Sequence, residues 1–219
     1  MNEIFLDTET TGLSFKEGHR IVEIACVETK DLIATGKVFH RLINPERDVP
    51  DAAFQIHGFS QEFLSDKEKF YEIAEDFLNF VNGKKIIIHN APFDLSFLNG
   101  ELGKINKDLI DKKLVIDSLD IARNKFPGAS NSLDAICKRF SIDLSKRTKH
   151  NALLDCELLR EVYINLLDVK EPKFNLSPNN MDFNLIKNKN YNKKILNISE
   201  EEIKLHKEFL KKDLKKNFY

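Results

Sequence analysis

The sequence predicts an α/β fold in which a mixed five-stranded sheet is flanked by helices. Two observations support this prediction. Three strands are predicted in the first third of the 219 residues, and helices alternate with single strands afterwards. A meander followed by helix–strand units is typical of a mixed sheet with helices on its faces. The apolar content of 42% and the charged content of 32% are ordinary for a globular domain.

The five strands are predicted from apolar runs that end at polar or glycine-containing breaks. The first three are separated only by short polar segments, which predicts antiparallel neighbours. The fourth is a run of three isoleucines, which is typical of a strand buried on both faces. The predicted strands are residues 3–7, 21–28, 33–43, 86–88 and 114–116.

Helices are predicted where apolar residues recur at helical spacing. Residues 69–81 show the i, i+3, i+4, i+7 pattern and end at Asn82-Gly83, which predicts an amphipathic helix. A second helix is predicted to begin near Pro92, because proline is favoured in the first helical turn, and Asn90 is expected to cap it. Further helices are predicted around residues 132–140 and 149–167.

The composition changes after residue 170. Residues 171–197 contain eight asparagines and two prolines with little periodic apolar content, which predicts a flexible linker. Ser199 and Glu202 have the spacing of a capping box that opens a terminal helix. We therefore expect a domain over residues 1–170, a linker over 171–197 and a C-terminal helix or tail over 198–219.

Charge is distributed unevenly along a chain whose net charge is −1. Residues 171–219 carry +4 and the remainder carries −5. Affinity for nucleic acid depends largely on the neutralisation of phosphates by Lys and Arg, so an acidic domain is expected to bind weakly unless a partner delivers the strand. Cations held by its carboxylates would reverse the local sign.

The expected cellular compartment follows from three features that are missing from the sequence: a membrane span, a signal peptide and paired cysteines. No apolar run approaches the roughly 18 residues of a membrane span, and the N-terminus lacks the pattern of a signal peptide. The three cysteines, Cys26, Cys137 and Cys156, show no C-x-x-C spacing and are expected to be reduced thiols. We expect a cytoplasmic protein without membrane contact.

Three acidic motifs supply the candidate catalytic groups. Asp7 and Glu9 lie two apart on a predicted strand, so both carboxylates share one face while Thr8 points the other way. Asp94 falls in the first two turns of the helix that begins near Pro92, with His89 as a packed histidine at the preceding strand end. His150 and Asp155 are five apart and would not share a face of one helix. His150 is therefore expected at the helix entrance, behind a Thr148 cap, with Asp155 inside the helix.

Each motif alone has a structural alternative, such as an exposed strand edge for Asp7 and Glu9 or a favourable helix N-terminus for Asp94. Together they predict in-line attack of water on a phosphodiester with two divalent cations. Asp7 is expected to bridge the cations, Glu9 and Asp155 to hold the first, and Asp94 the second. His150 is expected to act as general base, because its ordinary pKa lies near the working pH.

Several further segments extend the pattern beyond the acidic positions. With these segments, the chain resembles the DEDDh family of 3′–5′ exonucleases, which have a ribonuclease H-like fold, over residues 3–168. The similarity is greatest to the subgroup that proofreads for bacterial DNA polymerase III. The segments are residues 7–12, 18–24, 54–58, 126–128, 131–135 and 145–148.

The resemblance implies removal of 5′-mononucleotides from a DNA 3′ end with Mg²⁺ or Mn²⁺. It places His57 beside the terminal nucleotide, and Ala52 stands where some relatives carry a glutamate near that nucleotide. The substrate-binding set implied in this way is Asp7, Glu9, Thr10, Leu13, Ala52, His57, Asn90, Phe93 and Asp155.

The resemblance also implies partners. The C-terminal tail, residues 199–216 above all, is expected to bind the polymerase alpha subunit. A theta-like small subunit is a further candidate partner, as is a sliding clamp that contacts Pro172–Leu176. Two alternatives stay open: an RNA-trimming enzyme of the same family, and a mainly structural subunit that stabilises a polymerase. The presence of all five catalytic positions disfavours the structural subunit.

Overall fold

The computed structural model describes residues 2–145, 147, 149–168 and 199–213, with the side chains of the last helix up to residue 209. Its sheet has five strands in the order β3-β2-β1-β4-β5. β1, β2 and β3 are antiparallel neighbours, whereas β4 is parallel to both β1 and β5. The predicted mixed five-stranded sheet is confirmed. The strands are β1 Asn2–Thr10, β2 Ile21–Lys30, β3 Ile33–Leu42, β4 Lys85–Ile88 and β5 Val115–Asp117.

Helices among the first 168 residues cover both faces of this sheet, and each helix predicted in that part of the chain is present. Three short helices, Asp51–His57, Gln61–Leu64 and Ser118–Lys125, were not predicted, because segments of this length show too little apolar periodicity to indicate a helix. The helices are α1 Asp51–His57, α2 Gln61–Leu64, α3 Phe70–Val81, α4 Ala91–Lys104, α5 Ser118–Lys125, α6 Leu133–Arg139, α7 Ala152–Leu166 and α8 Glu200–Asp213.

The central strand β1 is buried on both faces, and this determines where its last residues point. Ile4 and Leu6 pack in the core that contains α3 and α4, whereas Phe5 packs against α7. Because side chains alternate along a strand, Asp7 and Glu9 follow Phe5 toward the α7 side. Thr8 follows Leu6 toward the α4 side. The end of β1 can therefore bring together groups from helices on opposite faces of the sheet.

The start of α7 differs from the prediction. The helix begins at Ala152, and its N-cap is Asn151, whose side chain accepts a hydrogen bond from the Leu154 amide at 3.0 Å. The predicted Thr148 cap lies outside the described residues. Asn and Thr are both good N-caps, so the sequence alone did not distinguish these two positions.

The C-terminal unit is described only through α8. Its predicted capping box is present: Ser199 Oγ accepts from the Glu202 amide at 3.2 Å, and Glu202 Oε2 accepts from the Ser199 amide at 3.0 Å. Ile203, Leu205 and Phe209 are exposed on this helix. The predicted linker over residues 171–197 lies outside the described residues.

Two expectations about the cellular compartment can be compared with the described residues. In the part of the chain that the structure describes, no helix has the length and apolar character needed to cross a membrane. Cys26, Cys137 and Cys156 are buried free thiols, as expected from their spacing.

Candidate active site

A cavity of about 730 Å³ lies at the carboxyl end of β1, between the first turn of α4 and the start of α7. Parallel strands β1 and β4 end at the same edge of the sheet, so the residues that follow them meet there. The structure brings all five predicted catalytic residues to this cavity. They are Asp7, Glu9, Asp94, His150 and Asp155.

Thr8 connects β1 to α4. Its amide donates to Asp94 Oδ1 at 3.1 Å, and its hydroxyl donates to the same oxygen at 2.7 Å. Alternation along β1 makes this contact possible, since Thr8 faces α4 while its neighbours face α7. Two hydrogen bonds from one residue therefore fix the Asp94 carboxylate at the end of the strand that carries Asp7 and Glu9.

The first turn of α4 is held by Asp117 rather than by Asn90. Asn90 occupies the N-cap position with φ of 71°, and its side chain makes no capping hydrogen bond, so the predicted role of Asn90 as cap is wrong. Asp117, at the end of β5, accepts from the amides of Asn90 at 3.0 Å and Ala91 at 3.1 Å. Asn tolerates the left-handed conformation better than most residues, which leaves its side chain free to face the cavity.

A buried carboxylate from β2 fixes the start of α7. Glu23 is fully buried, and its Oε2 accepts from the Ala152 amide at 2.9 Å. Its Oε1 lies 3.0 Å from Asn151 Nδ2 and 2.7 Å from His40 Nε2. His150 precedes this anchored end, as predicted, and its amide donates to the Ile56 carbonyl at 3.1 Å. His150 is exposed, whereas Asp155 is buried one turn further along.

The acidic cavity shifts the protonation of its carboxyl groups. Burial raises the pKa of Glu9 to about 8, and the nearby Asp155, Glu23 and Asp94 carboxylates add to the rise. Burial also raises the pKa of Asp94 to about 7, although its hydrogen bonds from Thr8 act in the opposite direction. The pKa of Asp7 is raised by burial and by Asp94, Glu9 and Asp155. The protein thus holds several carboxylates where their negative charges repel one another.

Arg147 supplies positive charge inside this cavity. Its Nε and Nη2 donate to the two oxygens of Asp155 at 2.6 Å and 2.7 Å, and its Nη1 donates to Asp134. Nη2 also lies 2.9 Å from His150 Nδ1. The guanidinium therefore engages two of the five predicted catalytic residues at once.

The donor set of the cavity fits hard divalent cations. Glu9, His150 and Asp155 each offer a ligand atom, and these atoms lie within 4.8 Å of one another. Carboxylate oxygens suit Mg²⁺ and Mn²⁺, and carboxyl groups with raised pKa values are stabilised as anions by a bound cation. Among the described residues this cluster does not include Asp7 or Asp94, so the assignment of each carboxylate to a particular cation stays a prediction.

A second cavity, of about 470 Å³, adjoins the first through Thr8, Glu9 and Phe93, which line both. Of the nine residues in the predicted substrate-binding set, five line it in addition to Glu9, whereas Asn90 lines the first cavity. Leu13 is 84% exposed, and His57 is buried with an Nε2 that has no hydrogen-bond partner among the described residues. Those five residues are Thr10, Leu13, Ala52, His57 and Phe93.

Comparison with known proteins identifies the family. A family model described as "Exonuclease" matches residues 4–163. The chain belongs to this exonuclease family. It is 47% identical to the DNA polymerase III subunit epsilon of Rickettsia conorii over 98% of the chain and 97% of that relative. It is 46% identical to the subunit of the same name from Escherichia coli over 74% of the chain and 70% of that relative. The predicted enzyme class, a 3′–5′ exonuclease, is confirmed.

Solved structures of other exonucleases show the same fold. Exonuclease X in complex with 5′ overhanging duplex DNA is 25% identical, with a TM-score of 0.60 over 77% of this chain and 92% of that one. The nuclease domain of 3′hExo, a DEDDh family member bound to rAMP, is 17% identical, with a TM-score of 0.67 over the same shares. The predicted ribonuclease H-like fold is confirmed by these neighbours.

Several residues that shape the exonuclease site received no role from the sequence. Glu23 lies 129 residues from the helix start that it holds, so no local pattern marks it. Asp117 has the local position of an N-cap for α5, but its contact with the start of α4 spans 26 residues. Arg147 falls within one of the segments that carry the family resemblance, but its contact with Asp155 depends on how the chain enters α7. The signal that could have indicated Arg147 is a basic residue next to the third motif of an acidic domain.

Proposed function

We propose that the chain is the proofreading subunit of a bacterial replicative DNA polymerase III, and that it removes nucleotides from the 3′ end of DNA. The observation that carries the proposal is that three motifs, distant in sequence, supply five catalytic candidates to one cavity. The exonuclease family and the epsilon-subunit relatives support the same activity. The products would be 5′-deoxynucleoside monophosphates and a strand shortened by one nucleotide.

The carboxylates of the first cavity would hold two divalent cations, Mg²⁺ or Mn²⁺. Asp7 would contact both cations, Glu9 and Asp155 would bind the first, and Asp94 the second. When bound, these cations supply Lewis-acid stabilisation of the negative charge on the phosphodiester oxygens. Thr8 holds the Asp94 carboxylate in place by two hydrogen bonds, so the position of this ligand does not depend on the cation.

His150 would act as the general base. It lines the cavity with its side chain about half exposed, so a proton that it accepts can pass to bulk solvent. His150 would take a proton from the attacking water as the water oxygen bonds to phosphorus. The bond from phosphorus to the 3′ oxygen of the preceding nucleotide then breaks, and that oxygen takes up a proton.

The second cavity would hold the terminal nucleotide. Leu13 and Phe93 present apolar surface there, which suits stacking against a base of any identity. Thr10 and Ala52 line its wall, and Asn90 lies on the neighbouring part of the first cavity. The Phe59 amide donates to His57 Nδ1 at 3.0 Å, so in the neutral ring the buried, unpartnered Nε2 carries the proton and would donate a hydrogen bond to an acceptor of the nucleotide.

The experiment that tests this activity is Mg²⁺-dependent digestion of a labelled primer with a mispaired 3′ end. Mononucleotide release should fall at least about 10²-fold in Asp7→Ala and in His150→Ala, because the first removes a proposed cation ligand and the second the proposed base for the attacking water. Asp76→Ala, which removes an exposed carboxylate on α3, is the matched control. Faster cleavage of a matched RNA strand would favour the RNA-trimming enzyme, and no release by the wild-type protein would favour the structural subunit.

We further propose that the C-terminal tail binds the polymerase alpha subunit in the bacterial cytoplasm. Leu205 and Phe209 are exposed and lie one turn apart on α8, so they offer an apolar face for docking. Deletion of residues 171–219 should abolish co-purification with the alpha subunit and leave exonuclease activity intact. In the full chain, the double substitution Leu205→Ser with Phe209→Ser should weaken co-purification with the alpha subunit. Lys204→Ser should not weaken it, since Lys204 lies about 100° or more from both residues around the helix.

A theta-like subunit and a sliding clamp are the remaining proposed partners. The proposed clamp contact is Pro172–Leu176, at the start of the predicted linker. Phe174→Ala should reduce capture of the clamp in a pulldown with the full chain. Capture equal to that of the wild type would rule out this contact.

A further inference from the structure

Arg147 is held in the first cavity by more contacts than ordinary charge neutralisation requires. Its side chain is 8% exposed, and the Asp155 side chain is 4% exposed. The guanidinium spans both oxygens of Asp155 at 2.6 Å and 2.7 Å, and Asp134 accepts from its third nitrogen. Bidentate pairs of this kind are among the stronger charge-assisted hydrogen bonds. The positively charged guanidinium of Arg147 therefore already engages both oxygens of Asp155.

The same guanidinium also occupies a ring nitrogen of His150. Nη2 of Arg147 lies 2.9 Å from Nδ1 of His150. A guanidinium has donors only, so Nδ1 must be the acceptor in this contact. In the neutral ring the remaining proton is then on Nε2, and the nitrogen that could accept a proton from water is the one that Arg147 uses.

A divalent cation would compete with Arg147 for Asp155. The ligand atoms of Glu9, His150 and Asp155 that cluster within 4.8 Å include two of the residues that Arg147 contacts. Two cations that share one carboxylate repel each other, and this repulsion is strong where the charges are shielded from water. The second arginine that lines the cavity, Arg123, does not take part, because it pairs with Asp120 at 3.5 Å on the exposed side.

We propose that Arg147 is a positioning residue that occupies the cation side of Asp155 and engages His150 until a divalent cation displaces it. The affinity of the site for a divalent cation then depends on how much more strongly Asp155 binds that cation than it binds Arg147. Displacement frees His150 Nδ1 in the same step, so cation binding and availability of the base are coupled. The inference rests on the proposed role of Asp155 as a cation ligand.

The test is the affinity of the full, metal-free chain for Mn²⁺, measured by isothermal titration calorimetry and by the electron paramagnetic resonance signal of free Mn²⁺. Arg147→Gln should lower the dissociation constant by about tenfold, which corresponds to about 1.4 kcal/mol. Arg123→Gln removes the same charge from the same cavity and should leave the dissociation constant unchanged. An unchanged or higher dissociation constant in Arg147→Gln would overturn the proposal.

Arg147→Lys separates direct competition from simple charge repulsion. Lysine keeps the charge but lacks the planar fork that spans both oxygens of a carboxylate. Direct competition predicts that Arg147→Lys also binds Mn²⁺ more tightly than the wild type. Wild-type affinity in Arg147→Lys would show that the charge alone acts at a distance, and the proposal would fail.

Stability in the same variants gives a readout that does not depend on activity. In EDTA, Arg147→Gln should melt at a lower temperature than the wild type, because Asp155 loses its buried partner. Mn²⁺ should then raise its melting temperature by more than it raises that of the wild type, since a tighter ligand stabilises the folded state further. An equal or smaller rise would contradict the proposal.

Asp155→Asn distinguishes a failure of this inference from a failure of the proposed site. If Asp155→Asn binds Mn²⁺ as the wild type does, the assignment of Asp155 as a ligand is wrong and the inference falls with it. If Asp155→Asn weakens Mn²⁺ binding while the Arg147 variants bind as the wild type does, only the role of Arg147 is wrong.

Discussion

Glu23 shows how a single residue outside the motifs can control the catalytic ones. It is fully buried on β2, and it accepts hydrogen bonds from the amide and the side chain that open α7. His150 lies directly before this helix end and Asp155 lies in its first turn. The position of both catalytic candidates therefore depends on a carboxylate that does no chemistry itself.

Glu23→Gln is expected to lower both stability and activity. In glutamine one carboxylate oxygen of Glu23 is replaced by an NH₂ group, which donates. This group would face either the Ala152 amide or the groups that now donate to Glu23 Oε1. A buried donor would then be unpaired, at a cost of about 1–3 kcal/mol. Urea unfolding in EDTA measures the stability, and single-turnover digestion of a primer measures the activity. The expected activity loss comes from a displaced α7, and it should appear at saturating Mg²⁺.

Glu28→Gln on the same strand is the matched control for Glu23→Gln. Glu28 is also buried, but it pairs with Lys84 and Thr35, away from the active site. This variant should lose stability and retain the wild-type single-turnover rate. Equal activity losses in the two variants would show that α7 is not specifically positioned by Glu23.

The residue scale also shows what the sequence could predict. The sequence indicated Asp7, Glu9, Asp94, His150 and Asp155 as candidates because each lies in a short motif at a strand or helix end, and the structure brings them to one cavity. Glu23 was not found, because the Asn151 side chain that it anchors lies 128 residues further along the chain. A buried charge of this kind looks in sequence like any glutamate in an amphipathic strand.

At the scale of elements, α4 and α5 share one capping residue. Asp117 Oδ1 accepts from the amides of Asn90 at 3.0 Å and Leu119 at 2.9 Å, and Oδ2 accepts from Ala91 at 3.1 Å. Asp117, at the end of β5, thereby links the first turn of α4, which contains Asp94, to the start of α5. The sequence predicted that α4 begins near Pro92, but not the cap, since the capping side chain comes from another strand.

Asp117→Ala is expected to destabilise the protein by about 1–4 kcal/mol. Loss of a capping side chain costs about 0.5–2 kcal/mol at one helix end, and here two ends lose their acceptor. Activity should fall as well, because the Asp94 carboxylate shifts with the first turn of α4. Chemical denaturation and primer digestion measure the two effects. Asp111→Ala removes a comparable cap from a short surface turn and should leave activity unchanged; if it does not, loss of a cap alone is not evidence for the role of Asp117.

At the scale of the whole molecule, more of the fold than of the site's contacts could be predicted from the sequence. The antiparallel pairing of β1, β2 and β3 follows from their short connections, whereas the position of β4 beside β1 was not predicted. The site required long-range contacts that bring β1, α4 and α7 together across two faces of the sheet. Periodicity shows which face of an element is buried, but not which polar groups meet at its end.

The acidic site should make the stability of the whole protein depend on pH and on divalent cations. In the folded state the pKa of Glu9 is raised to about 8 and that of Asp94 to about 7. The folded state thus binds more protons than the unfolded state between the ordinary carboxyl pKa and these values, so stability falls as pH rises through that window. His57, with a pKa lowered to about 4 by burial, is neutral in both states above about pH 7 and adds nothing there.

Urea unfolding between about pH 7.0 and 8.0, where His57 is neutral in both states, tests this dependence. In EDTA the free energy of unfolding should fall by at least about 1 kcal/mol across the range, since one pKa unit corresponds to about 1.4 kcal/mol. Saturating Mg²⁺ should remove most of the fall, because a cation bound to the folded state stabilises the ionised carboxylates. Glu9→Gln removes one titrating group, so its stability in EDTA should depend less on pH than that of the wild type. If Glu9→Gln and the wild type lose stability in parallel, Glu9 is not one of the groups that titrate with folding in this range.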